Sequence, residues 1–300
     1  MKSINLKKVL QKSALFALAF LTGMLIARVT RAQDNSLLWK VSGNGLEKPS
    51  YVYGTIHIIC PDDFLLTEET KEAVAESEQI IMELDFDDPE MTAKFQQLSV
   101  STDGLNLKDH LDEAEHEMFN TFFKSRYGIT MDQLGVMKPI ALLSMVLPAG
   151  MDCAQPASYE LSFLQMKGEK EILGLETVEY QIGVFDEIKL EEQVGWLKEY
   201  IGDLEILKSE FDEMTDVYLK QDVEELHDLV LSSPQFSDYA DALLYKRNAN
   251  WIPKLEEMMK EKSSFIAVGA GHLGSDKGVL ALLKAEGYDV SPLQSTSLEK

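Results

Sequence analysis

"SYVYGTIHIIC", residues 50–60, and "SFIAVGAGHLG", residues 264–274, decide how this chain is read. Each starts as an apolar run rich in β-branched and aromatic residues, the composition of a buried strand. Each then stops on Gly-x-x-His: Gly54 to His57 in the first stretch, Gly269 to His272 in the second. Glycine lets the chain turn sharply as a strand ends, so the imidazole that follows can face the crevice beyond it. In open α/β sheets ligands collect in that crevice, outside the carboxyl ends of the strands.

The neighbouring stretches extend both ends in the same order. Residues 37–41 predict a strand joined to the first run by the turn "SGNGLEKPS", residues 67–77 predict a helix opening on Thr67, and "QIIMELDFDD", residues 79–88, predicts a strand running out into acids. After the second run come a helix over 277–286 and a last strand in "YDVSPL". Two strand-GxxH-helix-strand units follow, and with them the expectation of a pseudo-twofold core. Between them, residues 105–255 read as mostly helical, with apolar residues at helical spacing over 111–123, 131–147, 159–166, 191–209 and 211–231. The strand "EILGLE", residues 171–176, interrupts them, and no Pro/Gly/Ser-rich linker does. The fold class expected is therefore α/β (α+β): a central sheet built from the two units, flanked by helices, with a large helical insertion at roughly 105–255.

Residues 1–32 read as a secretory signal peptide: Lys2, Lys7, Lys8 and Lys12 precede an apolar stretch over 14–27, and Thr30-Arg31-Ala32 offers a cleavage site. Residues 33–300 would then be one domain in a secreted or periplasmic compartment. Left uncleaved, the segment would tether the chain to a membrane, although it falls short of the about 20 residues a spanning helix needs. The formal net charge is −23, from 51 acidic and 28 basic residues, and six of the basic ones lie in residues 1–32. So acidic a surface repels nucleic acid and anionic lipid and favours cationic partners, without naming a substrate; the partner expected is a peptide or a small molecule. An apolar fraction of 45% excludes general disorder.

Cys60 and Cys153 are the two cysteines. Three readings stay open: a disulfide worth about 2–4 kcal/mol, two free thiols, or a soft metal ligand at Cys60 beside His57.

Strand alternation puts Ile81, Glu83 and Asp85 on one face, and a carboxylate in an apolar strand needs a partner. His57, His272 and Glu83 on one sheet edge would suit a divalent cation with positions left for water. Such an ion lowers the pKa of bound water and polarises a carbonyl. In the other reading each histidine caps a helix or bonds a backbone carbonyl. His110, His116 and His227 sit in acidic helical segments and read as surface residues. No H-E-x-x-H, G-x-S-x-G or Walker motif occurs. "GAGHLG", residues 269–274, matches G-x-G-x-x-G, with Asp289 about 18 residues on; too few residues follow it for the other strands of a dinucleotide fold, so it is not read as a nicotinamide site.

Taken together, "YVYGTIH", "IIMELD", "ILGLETVEYQ", "YKRNANWIPKLEEMM" and "FIAVGAGHLGSDKGVLALLKAEGYDVSPL" resemble the TraB/GumN family, which is related to the Tiki metalloproteases. The resemblance implies a fold shared with erythromycin-esterase-like proteins and a metal-dependent hydrolase site, with Mn²⁺ or Co²⁺ favoured and Zn²⁺ as a further candidate. By motif, His57 and His272 match the two family histidines and Glu83 the family glutamate, as ligand or general base. Arg247 and Asn248 match an Arg-Asn pair, which places Arg247 at the site as an anchor for a carbonyl or carboxylate. Glu176 matches as a supporting acid, or equally as a carboxylate at a helix N-terminus. Many relatives have Gly-x-Asp where this chain reads Ser158-Tyr159-Glu160, so no role is assigned to Glu160. The function expected is a secreted or periplasmic metal-dependent, peptidase-like hydrolase using Glu83 and Arg247 in catalysis. A non-catalytic protein that sequesters a peptide or signal is the alternative, and a haem- or iron-handling protein the third reading.

Overall fold

The structure, a computed structural model, describes residues 35–294; the segment read as a signal peptide lies outside them. Among the described residues one sheet contains six strands: β1 (Leu38–Gly43), β2 (Ser50–Thr55), β3 (Gln79–Met82), β4 (Ile172–Gly174), β5 (Ser264–Gly269) and β6 (Tyr288–Pro292). Their order is β4-β3-β5-β2-β1-β6. The first four in that order are parallel, and β1 and β6 are antiparallel additions at one edge.

The central strands are buried along nearly their whole length because both faces are covered. All four residues of β3 and all six of β2 are buried. This revises the alternation expected around Glu83: β3 ends at Met82, and Glu83 is the first residue past its carboxyl end. The two strand-GxxH-helix-strand units are present, but they close differently. The Glu68–Glu76 helix, capped by the Thr67 side chain on the Thr70 N–H, returns the chain to β3, parallel to β2 with β5 between them. The Val279–Ala285 helix instead leads into β6, antiparallel and beside β1. A pseudo-twofold core is therefore not what forms.

The insertion is helical as expected, with a core of its own around Phe119, Phe123, Leu142, Leu197 and Leu207. Its helices are shorter than periodicity suggested. The 131–147 segment breaks because Pro139 starts a new helix and holds Lys138 extended. Asp203, also extended, ends one helix and caps the Leu204–Leu219 helix through its side chain. Gln221, at φ 58°, ends that helix, and Asp222 caps Val223–Ser232. No helix among the described residues is long and apolar enough to cross a membrane.

Cys60 and Cys153 form a disulfide. Beside it, Ile59 and Ala157 exchange backbone hydrogen bonds of 3.1 and 2.8 Å. The last glycine of GAGHLG serves packing: a Cβ on Gly274 would lie 2.4 Å from the Val223 carbonyl oxygen and 2.8 Å from His227 Cβ. His227 is consequently buried, 4% exposed, and corrects the surface reading given to it.

Candidate functional site

The strand order β3-β5-β2 sets the site. Glu83 leaves the end of β3, His272 follows β5 on a single 3₁₀ turn (Ala270–His272), and His57 follows β2. Adjacent strands lie about 4.8 Å apart, so residues more than 200 positions apart in sequence reach one crevice. Thr55 pairs with Gly269 and Met82 with Ala267, which keeps the three exits nearly level.

Arg247, near the start of the Lys246–Glu261 helix, binds the deep side of this crevice together. Its Nε donates to Glu176 Oε1 at 2.9 Å, and one terminal nitrogen donates to Glu83 Oε2 at 2.7 Å and Glu176 Oε2 at 2.8 Å. The other donates to the Leu243 carbonyl at 3.0 Å and to His272 Nε2 at 3.2 Å. All five guanidinium donors are therefore engaged, and Arg247 acts in this arrangement as a clamp on Glu83, Glu176 and His272. Trp251 lies under the guanidinium at 5.1 Å and donates its indole N–H to Glu176 Oε1.

Since Arg247 can only donate, His272 accepts at Nε2 and carries its proton on Nδ1, which bonds Asn248 Oδ1 at 2.6 Å. Asn248 is oriented in turn by its amide bond to the Lys277 carbonyl at 2.9 Å. Burial, with the Arg247 charge adding to it against Glu83, pushes the His272 pKa down to about 3, so the ring is neutral across the physiological range. Burial alone would raise the Glu83 carboxyl; the Arg247 charge and the Gly269 N–H, 2.8 Å from Oε1, reverse this and hold it at about 2. Burial likewise opposes the charge of Arg247, and Glu83 and Glu176 outweigh it.

His57 differs from the others. Its side chain is 71% exposed, with protein mass around the ring. That surrounding mass disfavours a charged ring, but the Glu160 hydrogen bond and charge, helped by Glu83, raise the imidazolium pKa to about 9. Nδ1 lies 3.0 Å from Glu160 Oε1. Glu160 sits in the first turn of the Tyr159–Met166 helix, where Ser158 donates to its Oε2 at 2.7 Å and Thr55 to its Oε1 at 3.4 Å. The Cys60–Cys153 disulfide and the Ile59–Ala157 pair pin the segment that carries His57 to the one that carries Glu160.

The profile of the TraB/PrgY/gumN family matches residues 37–292. The chain belongs to that family. Among curated proteins it is similar to Metalloprotease TIKI2 of Danio rerio, at 24% identity over 87% of this chain and 62% of the relative. It is similar also to Metalloprotease TIKI1 of Homo sapiens, at 23% identity over the same shares. The chain thus spans about 62% of the length of these relatives. No solved structure matches it.

The relatives' names imply a metal ion, and the donor chemistry here is compatible with one. An ion bound at about 2.1 Å by both a nitrogen and an oxygen, at octahedral or tetrahedral angles, sets the two donors about 3.0–3.4 Å apart; His272 Nε2 and Glu83 Oε1, 4.0 Å apart, would have to draw together slightly to hold it. Both imidazoles also have Nδ1 tied to a side-chain oxygen; a ligand at Nε2 would replace the Arg247 hydrogen bond in His272 and the ring proton in His57. Among the described residues no group of three or more His, Cys, Asp or Glu is gathered to hold an ion. The fit thus covers two donors in this family member, with His57 close enough for its charge to act on Glu83.

Sequence reasoning placed His57, His272, Glu83, Arg247, Asn248 and Glu176, and the structure brings them to one crevice. It missed Glu160 as the partner of His57 and Gln181, whose amide lies 3.3 Å from Glu83 Oε2. The available signal for Glu160 was Ser158-x-Glu160 opening a helix a few residues past Cys153.

Proposed function

We propose that this chain is a metal-dependent hydrolase of the peptidase type, acting in the crevice beyond β2, β5 and β3. The observation that carries the reading is the pair formed by a neutral His272, whose Nε2 accepts from Arg247, and an ionised Glu83 whose Oε1 stands 4.0 Å from that nitrogen. His272 Nε2 and Glu83 Oε1 would hold the cation, Mn²⁺ or Co²⁺ before Zn²⁺, and His57 Nε2 would join them. When bound, such an ion supplies an acidified water and polarises the carbonyl to be attacked.

The protein's own groups prepare the site. Glu160 and Asn248 hold the Nδ1 protons of the two histidines, Arg247 keeps Glu83 ionised, and the Gly269 N–H fixes which carboxylate oxygen faces His272. The N-terminal 32 residues fit the same reading as a signal peptide delivering the enzyme to a secreted or periplasmic compartment, checked by sequencing the mature N-terminus. Mass-spectrometric digestion of a peptide library by the full chain with each ion, beside His57→Ala and His272→Ala, tests the activity. Ion-dependent cleavage lost in both variants is expected; cleavage that survives both would refute the site.

One observation favours a second reading, a non-catalytic peptide-sequestering protein: every Arg247 donor and both Glu83 oxygens already have protein partners. Thermal protection by a peptide that stays intact would select it.

A further inference from the structure

Next to the crevice the insertion leaves a half-open cavity of about 130 Å³. Phe185, Val230, Leu231, Phe236, Leu243 and Leu244 form most of its wall, and Ala240, Arg247 and His272 complete it. Protein interiors pack without voids of this size, and the apolar groups around it are not simply surplus surface. Leu243 and Leu244 belong to a π-helical turn, Asp241–Tyr245, immediately before the helix that carries Arg247. Such turns insert a residue into a helix and cluster at functional sites; here the Leu243 carbonyl takes an Arg247 N–H while its side chain faces the cavity.

We propose that this cavity is the side-chain pocket of the site and that it takes a branched aliphatic or single-ring aromatic residue of the peptide, next to the bond attacked. This rests on the hydrolase reading above. The volume is close to the about 150 Å³ of an apolar cavity that admits benzene, which suits leucine or phenylalanine and is too small for an indole. Charge finds no partner there. The two polar groups in the wall are bonded to each other at 3.2 Å, and Arg247 has no donor left for an acid while its own charge repels a lysine. Pockets of this kind, apolar walls with a few polar groups at one end, place a substrate by its side chain.

The test uses the full chain with N-acetyl amides of leucine, phenylalanine, lysine, glycine and tryptophan, read by ligand-observed NMR, and the peptide library described above. Ala240→Phe fills the cavity and Leu231→Ala enlarges it. The leucine and phenylalanine amides should bind at least tenfold more tightly than the lysine and glycine amides. Ala240→Phe should abolish the difference, and Leu231→Ala should admit the tryptophan amide; the second variant keeps the test decisive if the first does not fold. Equal binding of the leucine and lysine amides, or preferences unchanged in the folded variants, overturns the pocket. If the library is cut with no apolar preference, the pocket falls and the hydrolase stands. If the amides bind as expected and no peptide is cut, the hydrolase falls and the pocket stands as a binding site.

Discussion

Replacing Arg247 by methionine removes the cation between two carboxylates without opening a large void. Glu83 and Glu176 would remain with side chains 9% and 2% exposed, with His57 the one positive charge that still acts on Glu83. Removing one partner of a buried pair costs about 3–5 kcal/mol. The Glu83 carboxyl gives a second route to the magnitude: its displacement from 4.5 to about 2 corresponds to about 3 kcal/mol in favour of the ionised form. In a chain of this size a loss of that order lowers Tm by about 6–12 °C. Urea unfolding followed by far-UV circular dichroism, at about pH 8 and about pH 5, reads both the loss and its cause. Without Arg247 the Glu83 carboxylate is favoured less, so it takes up a proton more readily at the lower pH and the deficit shrinks there. Arg247→Lys, which keeps the charge but not the five-donor fork, should fall between. A loss at the higher pH no greater than the about 1 kcal/mol of an exposed pair, or a deficit equal at both pH values, would refute the clamp.

Four further outcomes are expected. His272, lowered from 6.5 to about 3, and Glu83, lowered from 4.5 to about 2, both leave the unfolded chain binding more protons, so their contributions are full above about pH 6.5 and decline as pH falls below it, while that of His57, raised to about 9, is full below about pH 6.5 and is lost as pH rises towards 9; a urea midpoint that rises on acidification below about pH 6.5 contradicts this. Reducing the Cys60–Cys153 bond, which closes a loop of 93 positions, should remove up to about 4–5 kcal/mol, and an unchanged Tm in reductant would show that the bond contributes nothing. In Glu160→Gln the His57 imidazole, followed by its NMR titration, should drop from about 9 towards 6.5; a titration midpoint that stays put would remove Glu160 from its role. Gly274→Ala forces a Cβ against the Val223 carbonyl and should cost about 1–3 kcal/mol, whereas Gly183→Ala, in open space within a helix, should be neutral or stabilising; equal effects would contradict the packing account.

What the sequence made legible was the part written in short-range patterns. The two apolar runs ending in G-x-x-H announced β2 and β5, and with them the side of the sheet where the imidazoles emerge. Glu83 was found as an acid in an apolar strand, although its position just past β3 depends on where pairing stops. The rest was set by contacts between distant segments. Nothing local tells that β5 inserts between β2 and β3, or that the last strand turns antiparallel to join β1. Helix periodicity ran across 131–147 and 191–209 because the same apolar face continues on both sides of each break; Pro139 and Asp203 were the marks of those breaks. Glu160 was set aside because its value lies 103 positions away in His57, and the disulfide that joins their segments was one of three open readings. His227 looked exposed because its helix is acidic, and only the missing side chain of Gly274 shows what covers it.

The strand at the middle of the sheet is also the fifth of the six to be made. β5 pairs with β2 across 214 positions, and contacts of such separation form late and slowly because a long loop must close first. A nascent chain that has reached only the helical insertion has β2 and β3 with open edges on their facing sides, and open edges invite association with other chains. It also lacks Gly269 and His272, so Glu83 and Arg247 have no completed site to serve. Whatever chemistry the crevice performs is withheld until β5 slides into the gap left for it.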